Sequence, residues 1–425
     1  MSDIIMQAQA AKIASIRMFS LSTEVKNRAL RSIADVLSAN SEAIIAANDK
    51  DLLESDRTGL AMPLRRRLLF GQKKIADVVD GLQSLILLED PVGKTLLSTR
   101  LDEGLSLYRV ACPIGVIGII FESRPDALVQ IASLCLKTGN AVFLKGGSEA
   151  ANTNRILADL IEKASIEAGL PDGWITLLES RDEVKQMLAF DEYLDLIIPR
   201  GSNEFVRYIM DNTHIPVLGH ADGVCHVYVH EDADVEMAKR IVVDSKTQYV
   251  AVCNAAETLL IDESIAESIL PELASSLSDK GVELFGCDKA SAMLSIGKVE
   301  DWHTEYLDYR MSVRIVTGLE QAIDHINQYG SGHTDAIITG NQPAAERFMN
   351  AVDSGNVFWN CSTRFSDGFK YGFGAEVGVS TSKIHARGPV GLDGLVTYKY
   401  KLFGDGQIVD DYAKGNRSFS HEPIC

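Results

Sequence analysis

A chain of 425 residues with 46% hydrophobic and 24% charged residues has material for roughly two to three domains with substantial cores. Its formal net charge of −18 works against non-specific binding to nucleic acid or anionic membranes, and no apolar run approaches the roughly 18 residues of a membrane span. The seven cysteines, at 112, 135, 225, 253, 287, 361 and 425, form no CxxC pair, which argues against a disulfide framework or structural zinc and fits a reducing, cytoplasmic setting.

Residues 1–19 mix Asp, Gln, Lys and Arg among their apolar positions, so no secretory h-region is expected there. Residues 3–90 read as helices packed on a sheet. Ser22 or Thr23 is placed to cap a segment whose Val25, Ala29, Ile33 and Leu37 form one apolar stripe. Ser41 is expected to cap the next helix, and Pro63 to open another rich in Arg and Leu. Residues 91–112 change character: two alternating runs around Asp102-Glu103-Gly104 predict a β-hairpin.

From residue 114 the pattern becomes strand–helix–strand. Ile114–Phe121, Ala141–Leu144, Trp174–Leu178, Leu194–Ile198 and Pro216–Leu218 read as strands between helical segments at Pro125–Lys137, about 150–168 and Asn203–Asn212. A second such unit starts near Val224, with helix Val235–Lys246 and strands at Thr258–Ile261 and Thr334–Thr339. This alternation indicates parallel sheets covered by helices, and ligands bind at the carboxyl ends of such strands. The exits Phe121-Glu-Ser-Arg-Pro125, Lys145-Gly-Gly-Ser148 and Pro199-Arg-Gly-Ser202 therefore stand out. The run Thr397–Phe403 alternates like an exposed strand in need of a partner edge.

Several positions invite chemistry, each beside a plainer reading. Cys253, in Gln248-Tyr-Val-Ala-Val-Cys253-Asn-Ala-Ala-Glu-Thr258, lies between a helix and a strand; it is either a nucleophile or one more buried thiol. Gly201-Ser202 before a helix is either a phosphate cradle or a cap. Lys145 is either a cofactor ligand or a solvated lysine. The loop Asn360-Cys-Ser-Thr-Arg364-Phe-Ser-Asp367-Gly368 suits an anionic substrate or an ordinary turn. No GxGxxG, HExxH, Cys/His metal spacing or GxSxG elbow appears, so no metal site is expected.

Taken together, Gly115–Asp126, Lys145–Ala150, Leu218–Val229, Cys253–Thr258, Gly330–Ala336, Asn360–Phe365 and Ser382–Pro389 resemble the aldehyde dehydrogenase superfamily and, more closely, its γ-glutamyl phosphate reductase branch, over almost the whole chain to about residue 404. The resemblance implies an α/β, aldehyde dehydrogenase-like fold. A Rossmann-like cofactor domain would take residues 1–90 and 114–224, and an α/β catalytic domain 225–396. A β-hairpin oligomerisation flap would combine 91–113 with 397–425.

It also implies NADPH-dependent reduction of L-glutamyl 5-phosphate through a thioester on Cys253. Ser123 and the Cys253 backbone N–H would hold the oxyanion. Arg124 and Arg364 would take the phosphate and the α-carboxylate, in an order left open, with Asn360, Ser362 and Thr363 as hydrogen-bonding partners. Lys145 and Ser148 would meet the adenosine ribose, Gly201 and Ser202 the pyrophosphate, and Glu305 the nicotinamide ribose. Ser148, where NAD-preferring relatives often carry a carboxylate, favours a 2′-phosphate; Glu149 beside it speaks against one. Hydrolytic members carry a glutamate base where Val217 stands here. A homo-oligomer pairing through the flap is implied, and the lability of an acyl phosphate leaves room for transient contact with glutamate 5-kinase. The competing readings are a CoA-acylating or hydrolysing aldehyde dehydrogenase and a non-catalytic scaffold of the same fold.

Overall fold

The computed structural model describes residues 3–122, 124–201, 203–219 and 222–424. Five helices come first: α1 (Asp3–Met18), α2 (Thr23–Ala39), α3 (Ser41–Thr58), α4 (Met62–Leu68) and α5 (Gln72–Leu87). Ser22 caps α2 by accepting from Val25 N at 3.4 Å, and Ala29, Leu30, Ile33 and Leu37 bury the predicted stripe. Ser41 does not cap α3. It is the first helical residue, and Asn40 holds the cap position without a side-chain cap bond. The reason is local: the Asn40 amide turns back to Val36 O at 2.8 Å and closes α2 instead.

The hairpin β1 (Thr95–Asp102) and β2 (Leu105–Pro113) turns at Gly104, whose φ of +71° suits glycine. Next come β3 (Val116–Ile120), α6 (Pro125–Lys137), β4 (Ala141–Lys145), α7 (Ala151–Glu167), β5 (Ile175–Leu177), α8 (Arg181–Met187), β6 (Leu196–Pro199) and α9 (Asn203–Asp211). They form a four-stranded parallel sheet in the order β5-β4-β3-β6. Strands covered on both faces read as continuous apolar runs, as these do. Residues 216–218 add only a single bridge, Val217 to Ile197, rather than a strand; Pro216 has no N–H to extend the ladder.

A second parallel sheet follows, built from β7 (Cys225–Val229), α10 (Val235–Thr247), β8 (Ala256–Asp262), α11 (Glu263–Ser278), β9 (Glu283–Gly286), α12 (Asp288–Leu294), β10 (Gly297–Lys298), β11 (Arg310–Val316), α13 (Leu319–Tyr329), β12 (Thr334–Ile338), α14 (Gln342–Ala351) and β13 (Asn356–Trp359). Its seven strands run in the order β10-β9-β11-β8-β7-β12-β13. The short pair β14 (Val379–Ser380) and β15 (Gly388–Pro389) leads to β16 (Val396–Phe403), α15 (Val409–Ala413) and β17 (Glu422–Pro423). β16 and β17 flank the hairpin in an antiparallel sheet, β16-β2-β1-β17, with Tyr398 opposite Ala111 and Tyr400 opposite Arg109.

The largest core lies around the four-stranded sheet and the N-terminal helices, and it includes Val377, Val390, Leu392 and Leu395. The segment that carries those four, grouped by sequence with 225–396, thus packs on the first sheet and ties the two halves together. Two further cores line opposite faces of the seven-stranded sheet. No helix among the described residues is long and apolar enough to cross a membrane.

Candidate active site

Cys253 sits at the corner of a tight turn, closed by Ala255 N donating to Val252 O at 3.1 Å, just before β8. It is half-buried, unlike Cys112, Cys135 and Cys225. The turn is braced from below. The Cys225 thiol, on β7, donates to Cys253 O at 3.1 Å. Burial, together with Asp335 and Cys253, raises that thiol well above its ordinary value and keeps it a donor. Gly223 packs so closely that a Cβ there would lie 2.5 Å from Cys253 Cα and 2.6 Å from its Cβ. Only glycine permits that approach.

Behind the turn, Lys246 of α10 and Glu257 of β8 form an ion pair at 2.7 Å with both side chains fully buried. Burial pushes the Glu257 carboxyl up and the Lys246 ammonium down, against the attraction between them. Glu257 Oε1 also accepts from Leu307 N at 3.3 Å. One buried pair therefore joins the helix before Cys253, the strand after it and the loop that carries Glu305.

The run Gly330–Ala336 serves this wall from underneath. Ser331 Oγ accepts from Val224 N at 2.9 Å, and Asp335 accepts from both His226 N and His226 Nδ1, at 2.8 and 2.9 Å. The run Asn360–Arg364 divides. Asn360, at φ +55°, spends its amide on Thr339, accepting from N and donating to O, each at 2.9 Å. Ser362 and Thr363 are buried against Ser245 of α10, at 3.2 Å each. These three residues shape the loop rather than open onto the cleft. Arg364 differs: it is half-buried, its Nε donates to Gln248 Oε1 at 2.9 Å, and Cys253 is within its electrostatic reach. Burial lowers the Arg364 guanidinium, and Cys253 and Asp367 act the other way.

The opposite wall comes from the four-stranded sheet. Arg124 leaves the exit of β3 and reaches Asp126 Oδ2 at 2.9 Å, where Lys74 also arrives at 3.4 Å. Burial acts to raise the Asp126 carboxyl, but the two cations outweigh it and hold it below its ordinary value. Sequence reasoning missed Arg200, at the neighbouring exit of β6. The strand exit Pro199-Arg-Gly-Ser202 contains it, but in one dimension the glycine and serine before a helix carry the phosphate-binding signature and the arginine does not. Arg200 is half-buried, and Arg124, Glu376, Cys253 and Asp126 all lie within its electrostatic reach.

Of the cofactor candidates, Lys145 is buried at the end of β4 with Nζ on Gly146 O at 2.5 Å, and Ser148 is exposed just beyond. Burial lowers the Lys145 ammonium, and Glu149, Glu183 and Glu179 counter it. Glu179 and Glu183 are already engaged, on Arg155 at 2.7 Å and in the Ser180 capping box. Gly201 precedes α9. Asn203, the first residue of that helix, donates to Glu305 Oε2 at 2.8 Å and so brings the pyrophosphate and nicotinamide-ribose candidates together. A strand-end lysine, a glycine at a helix start and a carboxylate beside it fit a dinucleotide. Ser123 and Ser202 lie outside the described residues. One group of metal-capable side chains, His230, Glu231 and Asp232, is found among the described residues, away from Cys253 in sequence and exposed on two of its three members.

Comparison with known proteins places the chain in a family. The aldehyde dehydrogenase family model matches residues 2–283. A γ-glutamyl phosphate reductase of Acetivibrio thermocellus is 66% identical over 415 residues, covering 97% of this chain and 96% of the relative. One from Ruminiclostridium cellulolyticum is 64% identical over 414 residues, covering 97% and 96%. The crystal structure of γ-glutamyl phosphate reductase from Thermotoga maritima superposes with a TM-score of 0.93 at 38% identity, covering 96% of this chain and all (100%) of that one.

Proposed function

The chain belongs to the aldehyde dehydrogenase family and, within it, to the γ-glutamyl phosphate reductases, and from that premise we propose how its residues carry out the reaction. It is a glutamate-5-semialdehyde dehydrogenase: it reduces L-glutamyl 5-phosphate with a nicotinamide cofactor and releases phosphate, in the second step of proline biosynthesis. The Cys253 thiolate adds to the γ-carbonyl carbon. The C–S bond forms, the C–O bond to phosphate breaks, and the former thiol proton ends on the departing hydrogenphosphate. The Cys253 N–H and the Ser123 hydroxyl hold the oxyanion. A bound nicotinamide supplies the hydride that converts the thioester to a thiohemiacetal. Cys253 then leaves as the aldehyde forms.

The observation that carries this reading is the convergence of guanidinium groups from two different sheets on one half-buried thiol. An acyl phosphate with an α-carboxylate needs cations at both ends, and an otherwise acidic protein has concentrated them here. Val217 in place of a base fits a thioester that is reduced rather than hydrolysed.

NADPH is the proposed cofactor. Ser148 can donate to a 2′-phosphate that a carboxylate would repel, and Lys145 lies beside it. The proposed assembly is a homo-oligomer built on the flap: β16 has a free edge among the described residues, and Tyr398, Tyr400, Leu402 and Phe403 are exposed along it. Sedimentation of the purified chain checks this, and a monomer would discard it. Transient contact with the kinase that makes the labile substrate belongs to the same proposal; channelling of acyl phosphate in a coupled assay would reveal it.

The reverse reaction tests the mechanism. Purified protein receives glutamate 5-semialdehyde, phosphate and either NADP⁺ or NAD⁺, with Cys253→Ala alongside. Phosphate-dependent reduction, faster with NADP⁺ and slowed on the order of 10⁴-fold in the variant, is the expected result. Turnover without phosphate would move the assignment to a hydrolytic or CoA-linked dehydrogenase.

A further inference from the structure

Arg200 is the least satisfied cation in the cleft. Its backbone is fixed: Arg200 N donates to Ile120 O at 2.7 Å, continuing the register in which Pro199 of β6 stands opposite Ile120 of β3. Its side chain is half-buried, yet no hydrogen bond from its guanidinium is found among the described residues. Of the carboxylates that attract it, Asp126 is shared with two other cations, and Glu376 draws it electrostatically without a hydrogen bond to it among the described residues. Asp126 is held by Arg124 and Lys74, at 2.9 and 3.4 Å, and Glu376 Oε2 accepts from Gly368 N at 2.7 Å. Five N–H donors at the mouth of a cleft, facing a nucleophile and a second guanidinium, make a costly arrangement without an anion. With a phosphoryl group the same arrangement is complementary, because the planar fork matches two phosphate oxygens.

The other two arginines are differently placed. Arg124 is committed to Asp126 and nearly half exposed, at 44% of its side chain. Arg364 comes from the far wall and is oriented by Gln248. A substrate whose γ-carbonyl lies at Cys253 therefore meets Arg200 on the side of the four-stranded sheet and Arg364 on the side of the seven-stranded sheet.

We propose that Arg200 grips the phosphoryl group of the acyl phosphate, and the phosphate after it departs, while Arg364 takes the α-carboxylate. The inference rests on the acyl-phosphate reading above. As Cys253 forms its bond to carbon and the bond to the phosphate oxygen breaks, negative charge grows on the leaving group, and Arg200 stabilises it there. The chemistry recognised is a phosphate, and two sources compete for it: the substrate, and the pyrophosphate of the cofactor beside Gly201.

The test measures the phosphate KM in the reverse reaction for the wild type, Arg200→Gln, Arg200→Lys and Arg364→Gln, together with NADP⁺ binding by fluorescence titration. The expected result is a rise in phosphate KM of roughly 10- to 100-fold in Arg200→Gln, as loss of a charge-assisted bond implies. The rise should be smaller in Arg200→Lys, with NADP⁺ affinity and the semialdehyde KM unchanged, and Arg364→Gln should raise the semialdehyde KM instead. Arg200→Lys retains the charge and most of the volume, so it reports even if the glutamine variant folds poorly. A phosphate KM equal to wild type in both variants, or a loss of NADP⁺ affinity in its place, would overturn the assignment. A wild type with no phosphate requirement would overturn the acyl-phosphate reading itself, and the proposal with it.

Discussion

The two walls of the cleft treat buried charge in opposite ways. On the seven-stranded side Lys246 and Glu257 meet at 2.7 Å, and Glu257 accepts a further backbone N–H. On the four-stranded side Arg200 is half-buried with no hydrogen bond to its guanidinium among the described residues, beside a second arginine. Paired charge beneath Cys253 holds a shape. Across from it Arg124 is paired with Asp126, but the Arg200 guanidinium beside it is left without a hydrogen bond among the described residues, and an incoming anion would complete it. The support beneath the nucleophile is thus complete before substrate binds, and the phosphate side of the cleft is not.

The sharpest way to break this contrast is to unfinish the first wall. Lys246→Met leaves Glu257 buried without its partner and is expected to cost about 3–5 kcal/mol in urea denaturation. Lys246→Met combined with Glu257→Leu should recover most of that loss. A single variant as stable as wild type would mean that the pair does not hold this wall.

A smaller effect should come from Gly223→Ala, which forces the Cys253 turn aside without touching any charge. Displacing the nucleophile by about 1 Å predicts a loss in kcat of about 10²-fold, with the phosphate KM unchanged. A phosphate KM that rose with it would show that the two walls are not independent.

The last effect is one of pH and concerns His325 of α13, whose ring lies edge-on to His226 of β7. His325 is buried, its Nδ1 accepts from Arg314 Nη1 at 2.6 Å, and burial, with Arg314 close by, lowers its pKa to about 2. Its folded value lies below its unfolded value of 6.5, so its contribution to stability is complete above pH 6.5 and is lost as the pH falls toward 2. Stability should decline by about 1.4 kcal/mol per pH unit from this group below pH 6.5. His325→Phe should flatten that slope in denaturation series between pH 6 and 4, and an unchanged slope would place the acid sensitivity elsewhere.

Much of this was legible in one dimension. The Ser22 cap, the hairpin turn at Gly104, the helix Pro125–Lys137 and the alternation of strand and helix all follow from residues within a few positions of one another. So does Cys253 at a helix–strand junction, and the motif runs carried the family. Local periodicity and turn chemistry act within one element, which is why the α/β architecture, the family and the nucleophile candidate could be read along the chain.

How each polar side chain is used depends on packing between distant elements. Asn360, a substrate candidate by its loop, turned out to be bound to Thr339, one residue past the end of the neighbouring strand β12. Ser362 and Thr363 are packed on Ser245 of α10. Arg200 became a cleft residue because β6 lies beside β3, although the 75 residues 121–195 lie between the two strands in the chain. In a parallel sheet the neighbour of a strand is set by crossovers and by the burial of whole faces. The partner of a charge, or its lack of one, is therefore a property of the packed sheet and not of the residues on either side of it.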